Sequence, residues 1–176
     1  MVQRSLLRAK EGFGGITTPK TAQKLNISSS ISSLSITLEG GSAMKKGFVT
    51  DIETETKKNT YFRRVLYTGN YSQVVLMCLK PGEEIGAEVH EDVDQFFRFE
   101  EGEGVVVIDG VEHPVRDGTA VVVPNGANHN VINTSKKAPL KLYTIYSPPE
   151  HRDGVIHRTR QEAMSDNEHF DGKTTE

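Results

Sequence analysis

The chain has 176 residues, of which 35% are hydrophobic and 26% are charged, and its formal net charge is -3. This length fits one domain of ordinary size with flanking sequence and is too short for two full domains. The slightly acidic balance argues against a general nucleic-acid-binding protein, because no basic face large enough to neutralise many phosphates is indicated.

Neither a membrane anchor nor a secretory signal is indicated. No stretch approaches the roughly twenty apolar residues that span a bilayer, and no apolar segment follows Arg4 as a secretory signal would require. The single cysteine, Cys78, cannot form an internal disulfide, so nothing points to an oxidising compartment. We therefore expect a cytoplasmic protein without membrane contact, in which Cys78 is a buried hydrophobic residue.

Residues 1–43 differ in composition from the rest of the chain, since they are basic, rich in serine and poor in acids. They end in the sequence Gly-Gly-Ser-Ala, which is typical of a flexible linker, and Met44 then resembles a natural chain start. An appended, non-native leader is the first interpretation, and an organelle transit peptide is the alternative. Within this leader, the β-prone run 31–38 could add a strand at a sheet edge.

Residues 44–160 are predicted to form the main domain, and from residue 62 to residue 146 it is a series of short β-type runs separated by clusters of Gly, Pro, Asp and Asn. These runs are residues 62–67, 73–79, 86–90, 95–99, 105–108, 111–115, 120–123, 129–133 and 140–146. Asp109-Gly110, between two apolar runs, predicts a two-residue hairpin. Many short strands with such turns predict an all-β sandwich, jelly roll or small barrel.

The end of the chain is predicted to leave the strand pattern. Pro148-Pro149 ends the last strand, and residues 153–164 are predicted to include a short helix. Residues 161–176 follow as a polar C-terminal tail, and we expect its last dozen residues to be mobile.

Two windows of the chain resemble the paired sequence motifs of the cupin superfamily. In the second window, five residues reproduce the pattern GxxxxxPxGxxHxxxN at every fixed position, and they are Gly118, Pro124, Gly126, His129 and Asn133. Five matches at fixed spacing make this resemblance specific. The chain is similar to small single-domain cupins of the mannose-6-phosphate-isomerase-like type, and the resemblance implies their fold, a double-stranded β-helix or jelly-roll barrel.

The first window matches the cupin pattern GxxxxxHxHxxxxExxxxxxG in spacing but not in every residue type. It has Gly82, Glu88, His90, Gln95 and Gly102. Glu88 stands where the family usually has a histidine, and Gln95 stands where it usually has a glutamate. Because residues two apart on a strand share a face, Glu88 and His90 are expected to point the same way, with Gln95 facing them from the next strand.

The predicted metal ligands are Glu88, His90, Gln95 and His129. One carboxylate oxygen, one amide oxygen and two imidazole nitrogens form a ligand set without sulfur, which suits one divalent ion of Mn, Fe, Ni, Co or Zn. Octahedral coordination would leave two positions open for water or a bidentate substrate. The alternatives are that Glu88 is one more solvated acid in an acidic stretch and that the histidines are structural.

Alternation along the strands also predicts a pocket. Phe97 and Phe99 share the face of Gln95, and Val131 shares the face of His129, so these three apolar residues are predicted to line the pocket beside the metal. The strand at residues 140–146 could present either its odd-numbered or its even-numbered residues to this pocket.

The remaining histidines match no ligand spacing, and a surface position is expected for each of His113, His151, His157 and His169. His151 and His157 could still flank the barrel mouth.

The fold alone does not give the function, because small cupins include isomerases, dioxygenases and binding modules. We expect an isomerase-type enzyme whose metal binds adjacent oxygens of a carbohydrate-like or hydroxy-carbonyl substrate and stabilises an enediolate, although no catalytic residue is identifiable. One alternative is an Fe- or Ni-dependent dioxygenase. The other is a non-catalytic, metal-dependent binding or sensor module for a small molecule. The resemblance also implies a homodimer, to which residues 48–67 could supply an interface strand.

Overall fold

The computed structural model describes residues 46–176, so the predicted leader and its possible strand at residues 31–38 lie outside the described residues. The elements of this part of the chain are, in order, α1 (Ile52–Lys58), β1 (Arg63–Thr68), β2 (Gln73–Leu79), β3 (Asp94–Glu101), β4 (Glu103–Ile108), β5 (Val111–Arg116), β6 (Ala120–Val123), β7 (His129–Asn133), β8 (Leu140–Ser147), β9 (Ile156–His157) and α2 (Arg160–Ser165). Neither helix has the length and apolar character needed to cross a bilayer.

The strands form two sheets, and neighbouring strands in each sheet are antiparallel. One sheet has six strands in the order β6-β3-β8-β2-β1-β9, and the other has three strands in the order β5-β4-β7. Ile108 pairs with Val111 across the turn formed by Asp109 and Gly110, as predicted. Most neighbours, however, are distant in sequence, since β8 lies between β2 and β3. This is the all-β, double-stranded β-helix that the sequence predicts.

The core lies between the two sheets, and strict alternation positions its side chains. Along β8, Leu140, Leu142, Thr144 and Tyr146 are buried, whereas the three residues between them are only half-buried. The even-numbered residues therefore face inward, which settles the orientation that the sequence left open. A register slip of one residue would turn this whole set outward, so burial of apolar area specifies the pairing. Cys78 is buried as predicted.

Helix α1 is an element that the sequence pattern did not predict. Asp51 caps it, since its Oδ1 accepts a hydrogen bond of 3.1 Å from the backbone N–H of Thr54, and such caps stabilise a helix by about 1 kcal/mol. After α1, β1 pairs with β2 and, at Arg63 and Arg64, with β9. Residues 48–67 thus include a helix and a strand that is paired within the chain, and their part in a dimer interface stays a prediction.

The predicted strand at residues 86–90 is wrong. Gly86 has a φ of +113° and interrupts the extended run, and its N–H donates to the side-chain oxygen of Asn130 over 2.9 Å. The segment pairs with β7 only through the isolated bridge between Glu88 and His129, and a second bridge, between Glu84 and Ile132, lies just before it. A glycine with a positive φ breaks the two-residue alternation that a strand requires.

The C-terminal segment also differs from the prediction. Of residues 153–164, only those of α2 are helical, and β9 joins the six-stranded sheet beside β1. Beyond α2, Glu168 is buried, the N–H of Phe170 donates to Glu150 O over 2.8 Å, and the N–H of Thr175 donates to Thr68 O over 2.9 Å. The last dozen residues are therefore held against the domain, contrary to the mobile tail that we expected.

Candidate metal centre

The isolated bridge between Glu88 and His129 places two candidate ligands side by side. Each residue donates its backbone N–H to the carbonyl oxygen of the other, and both hydrogen bonds are 2.9 Å long. Residues paired in this way project their side chains to the same face. Consequently the Oε1 atom of Glu88 lies 3.4 Å from Nε2 of His129.

His90 reaches the same point from the loop that follows Glu88. The turn before β7 holds its backbone, because the N–H of Gly126 donates to His90 O over 2.7 Å. Gly126 has a φ of +78°, a conformation that glycine adopts without strain. The Nε2 atom of His90 then lies 3.4 Å from Oε1 of Glu88, and the rings of His90 and His129 are 5.5 Å apart.

Gln95 approaches from the opposite sheet, where it is a buried residue of β3. Its Oε1 lies 2.9 Å from Nε2 of His129. The other ring nitrogen of His129 lies 3.2 Å from the carbonyl oxygen of Ala127. A carbonyl only accepts, so this contact suits the tautomer with the proton on Nδ1, which leaves the lone pair of Nε2 available to a metal. In that tautomer the lone pair of Nε2 faces Oε1 of Gln95, and a cation bound by both atoms would stabilise this arrangement.

Two further atoms at this point are buried without a hydrogen-bond partner among the described residues, namely Oε1 of Glu88 and Nε2 of His90. Leaving such an atom unpaired costs about 1–3 kcal/mol. Together with His129, these residues offer ligand atoms that all lie within 4.8 Å of one another. Glu88, His90 and His129 therefore form a group that could bind a metal ion, and their chemistry fits one.

The charges within this group are complementary. Burial disfavours the ionised form of Glu88, but the imidazoles of His129 and His90 outweigh burial and lower the pKa of Glu88 to about 2. Burial also opposes protonation of His90, but the carboxylate of Glu88 prevails and the pKa of His90 is raised. Glu88 is consequently an anion at neutral pH, as a ligand of a divalent cation must be.

The structure brings the four predicted metal ligands together, although not by the route that the sequence suggested. Gln95 lies on the six-stranded sheet and His129 on the three-stranded sheet. Glu88 and His90 lie outside the regular strands, so they converge through a loop rather than through the alternation of a strand.

The predicted pocket residues lie in the core behind this group. Phe97, Phe99 and Val131 are fully buried, and the ring of Phe97 packs edge-on against His129 with centroids 6.0 Å apart. They form an apolar wall beside the candidate ligands. Their part in a ligand pocket stays a prediction.

Sequence reasoning left open the position of Tyr146 and gave no role to Glu150, yet both lie next to His90. The Tyr146 ring is perpendicular to those of His90, at 5.8 Å, and His151, at 5.0 Å. Burial, together with the nearby charge of Glu88, raises the pKa of Tyr146, so its phenol stays neutral. Glu150 Oε1 lies 3.8 Å from Nδ1 of His90. No motif spacing could have identified Glu150, because it follows the last long strand.

A buried pair of charged and polar groups anchors the loop that carries Glu150. His151 Nδ1 lies 2.8 Å from Oε1 of Glu168, and the backbone N–H of Arg152 donates to Oε2 of Glu168 over 2.7 Å. Burial disfavours ionised Glu168, but these two contacts outweigh it and lower the pKa of Glu168 to about 2. Burial lowers the pKa of His151, so its neutral ring donates from Nδ1 to the carboxylate.

The other histidines fall into two classes. His113 and His169 are exposed, as expected. His151 and His157 are buried instead, so the surface position expected for them is wrong. His157 lies 3.2 Å from Asp166 through its Nε2 atom, and acidic partners of this kind allow a histidine to be buried.

Comparison with known proteins agrees with the fold. A family model described as a cupin domain matches residues 75–146, a range that includes all four candidate ligands. An uncharacterized protein of Bacillus subtilis, YrkC, is 47% identical over 126 residues, which are 68% of this chain and 67% of that protein. An uncharacterized protein of Acanthamoeba polyphaga mimivirus is 43% identical over 112 residues, 62% of this chain and 70% of that protein.

Solved structures show the same similarity. The crystal structure of BH2720 from Bacillus halodurans has a TM-score of 0.66 and 46% identity, and the match covers 68% of this chain and 94% of that one. The crystal structure of TT1209 from Thermus thermophilus has a TM-score of 0.51 and 27% identity, and this match covers 57% and 96% of the two chains.

Proposed function

The chain belongs to the cupin family, and on this basis we propose that Glu88, His90, Gln95 and His129 hold one divalent metal ion between its two sheets. The observation that supports this most directly is that Oε1 of Glu88 and Nε2 of His90 are buried 3.4 Å apart, and neither has a hydrogen-bond partner among the described residues. A ligand set of oxygen and nitrogen without sulfur favours Mn, Fe, Ni, Co or Zn.

The proposed activity is isomerisation of a small carbohydrate-like or hydroxy-carbonyl substrate. When bound, the ion would supply a Lewis acid for adjacent substrate oxygens. Glu88 is the one anionic member of the ligand set, so the centre keeps a net positive charge that favours oxygen donors. Tyr146 and the apolar wall of Phe97 and Val131 exclude water from the inner side of the site, which strengthens electrostatic interactions there.

The test uses the purified chain loaded separately with each of the five metals. Sugar phosphates, uronates and other hydroxy-carbonyl compounds are incubated with it in deuterated water, and proton NMR follows exchange at the carbon next to the carbonyl. Isomerisation through proton abstraction predicts deuterium at that carbon and an interconverted product. The matched control is His129→Ala, which should show neither.

The same samples separate the two alternatives from the proposal. Consumption of oxygen with catechol-like or diketone substrates, without deuterium exchange, would identify a dioxygenase instead. Tight binding of a small molecule without any turnover would identify a binding or sensor module. Either result overturns the isomerase assignment and leaves the metal site intact.

A cytoplasmic location and a homodimer belong to the same proposal. The single cysteine supports the location, since disulfides are rare in the cytosol. Family resemblance supports the dimer, and β6 is an edge strand of the six-stranded sheet, the position at which a second chain could pair. Light scattering after size-exclusion chromatography measures the mass in solution, and a monomer across the working range of concentration would exclude the dimer.

A further inference from the structure

The two ring nitrogens of His90 face different carboxylates. Nε2 lies 3.4 Å from Oε1 of Glu88, on the side of the candidate ligands. Nδ1 lies 3.8 Å from Oε1 of Glu150, on the other side of the ring. The ring is largely buried, with 13% of the side chain exposed, so the groups that it meets are set by the fold rather than by solvent.

A histidine can bind a metal through Nε2 only if the proton sits on Nδ1, and in proteins that N–H is almost always donated to a carboxylate, a carbonyl or water. His129 meets this requirement through the carbonyl oxygen of Ala127, 3.2 Å from its Nδ1. For His90, the acceptor that the structure places on the Nδ1 side is the carboxylate of Glu150. The two imidazoles therefore use different partners for the same purpose.

The backbone around Glu150 is held on both sides. Its carbonyl oxygen accepts a hydrogen bond of 2.8 Å from the N–H of Phe170. The next residue, His151, donates its backbone N–H to Oε1 of Gln73 over 2.9 Å, and its carbonyl oxygen accepts from Nε2 of Gln73 over 2.7 Å. Glu150 is itself three-quarters buried, with 25% of the side chain exposed. A carboxylate with these restraints can orient a neighbouring ring.

We propose that Glu150 is a positioning residue that holds His90 in the tautomer and orientation required for metal binding through Nε2. The distance of 3.8 Å lies in the range of an ion pair and exceeds that of a hydrogen bond, and binding of a metal by Nε2 would draw the N–H at Nδ1 onto the carboxylate. Through the N–H of Phe170, the C-terminal segment contributes to this arrangement. The inference rests on the proposed metal site and adds the residue that orients it.

The first test compares the affinity of the intact chain and its variants for Mn²⁺ and Co²⁺ by isothermal titration. Glu150→Ala should bind the ion about 10- to 100-fold more weakly at unchanged stoichiometry, the loss typical when the outer partner of a metal-binding histidine is removed. Glu150→Gln keeps an acceptor oxygen and should recover part of the affinity. Glu112→Ala changes an exposed position on β5. It is the matched control and should bind the ion as tightly as the unaltered chain does.

The second test needs no metal. Glu88 favours a proton on Nε2 of His90 and Glu150 favours one on Nδ1. Proton–nitrogen correlation spectra of the neutral imidazoles should therefore show a smaller fraction of the Nδ1-protonated tautomer of His90 in Glu150→Ala than in the unaltered chain, with His129 unchanged. Metal binding that is equally tight in Glu150→Ala, or an unchanged His90 tautomer, overturns the positioning role while the metal site stands. An unaltered chain that binds no metal overturns the proposed function, and the tautomer measurement then decides the role of Glu150 by itself.

Discussion

The side-chain amide of Gln95 donates from Nε2 to the hydroxyl oxygen of Thr144 over 3.1 Å, and in this orientation the other end of the amide faces His129. Oε1 is then the atom directed at the candidate metal centre, 2.9 Å from Nε2 of His129. Both Gln95 and Thr144 are buried on neighbouring strands. An uncharged residue is thereby positioned to act as an oxygen ligand.

We expect Gln95→Ala to weaken metal binding, but by a smaller factor than His90→Ala, because a neutral amide oxygen is the poorer ligand. Titration with Mn²⁺ in competition with a chelator gives both dissociation constants. Thr144→Val keeps the shape of the side chain and removes the hydroxyl that accepts from Gln95. The Gln95 amide is then free to rotate, so the loss of metal affinity should be smaller still. A loss for Thr144→Val as large as that for Gln95→Ala would contradict this order.

The two histidines are expected to be indispensable for metal binding. Metal analysis after reconstitution and desalting should give about one ion per unaltered chain, and His90→Ala and His129→Ala should each retain almost none, because removing one imidazole leaves too few strong ligands. His113→Ala changes an exposed histidine on β5 and should leave the metal content unaltered. Metal retained by both site variants would refute the assignment.

Gly102→Ala should strongly destabilise the fold. Gly102 has a φ of +91°, and a Cβ there would lie 2.3 Å from the carbonyl oxygen of Pro139 and 3.0 Å from Cα of Leu140. The left-handed conformation costs alanine roughly 1–2 kcal/mol, and the overlap with backbone adds roughly 1–3 kcal/mol. Urea denaturation measures the change in the free energy of unfolding.

Gly110→Ala is the matched control for this prediction. Gly110 has a φ of +81°, but no atom lies within 4 Å of the position that a Cβ would occupy. This variant should therefore show only the conformational cost, and Gly102→Ala should exceed it. Equal losses at the two positions would show that the close approach of residues 139–140 is relieved elsewhere.

Because of Glu168, the free energy of unfolding should depend on pH in the acidic range. Its folded pKa of about 2 lies below the ordinary value of 4.5, so the ionised carboxylate stabilises the folded state. This contribution is complete above the ordinary pKa and is lost as the pH falls from about 4.5 toward about 2. Glu168→Gln removes it, so the difference in the free energy of unfolding from the unaltered chain should be largest near neutral pH.

The measurement is a series of urea titrations across this pH range. The difference between the unaltered chain and Glu168→Gln should shrink steadily in acid, whereas Glu112→Gln, an exposed change, should follow the unaltered chain at every pH. A difference that stays constant with pH would show that the carboxylate charge does not stabilise the interaction with His151.

Much of the fold was predictable from local pattern. Alternation of apolar residues and the turn dipeptides identified β2, β6 and β7 with the bounds that the structure has, and the all-β class followed. The motif spacing identified Glu88, His90, Gln95 and His129, which the structure brings together at one point. Strand bounds and turns are properties that a few neighbouring residues determine, because strand geometry has a period of two and certain turns require glycine. The four site residues were instead identified by their match to the cupin motifs.

Only the tertiary structure decided which residues that lie far apart along the chain contact one another. The pairing of β8 with both β2 and β3 turns Tyr146 inward, and the loop after it brings Glu150 to within 3.8 Å of His90. Local pattern carries no signal for these contacts, since they arise when the two sheets close on a common core and the C-terminal segment packs beside it. The sequence by itself thus determined which residues could bind a metal, and long-range packing decided which residues orient them.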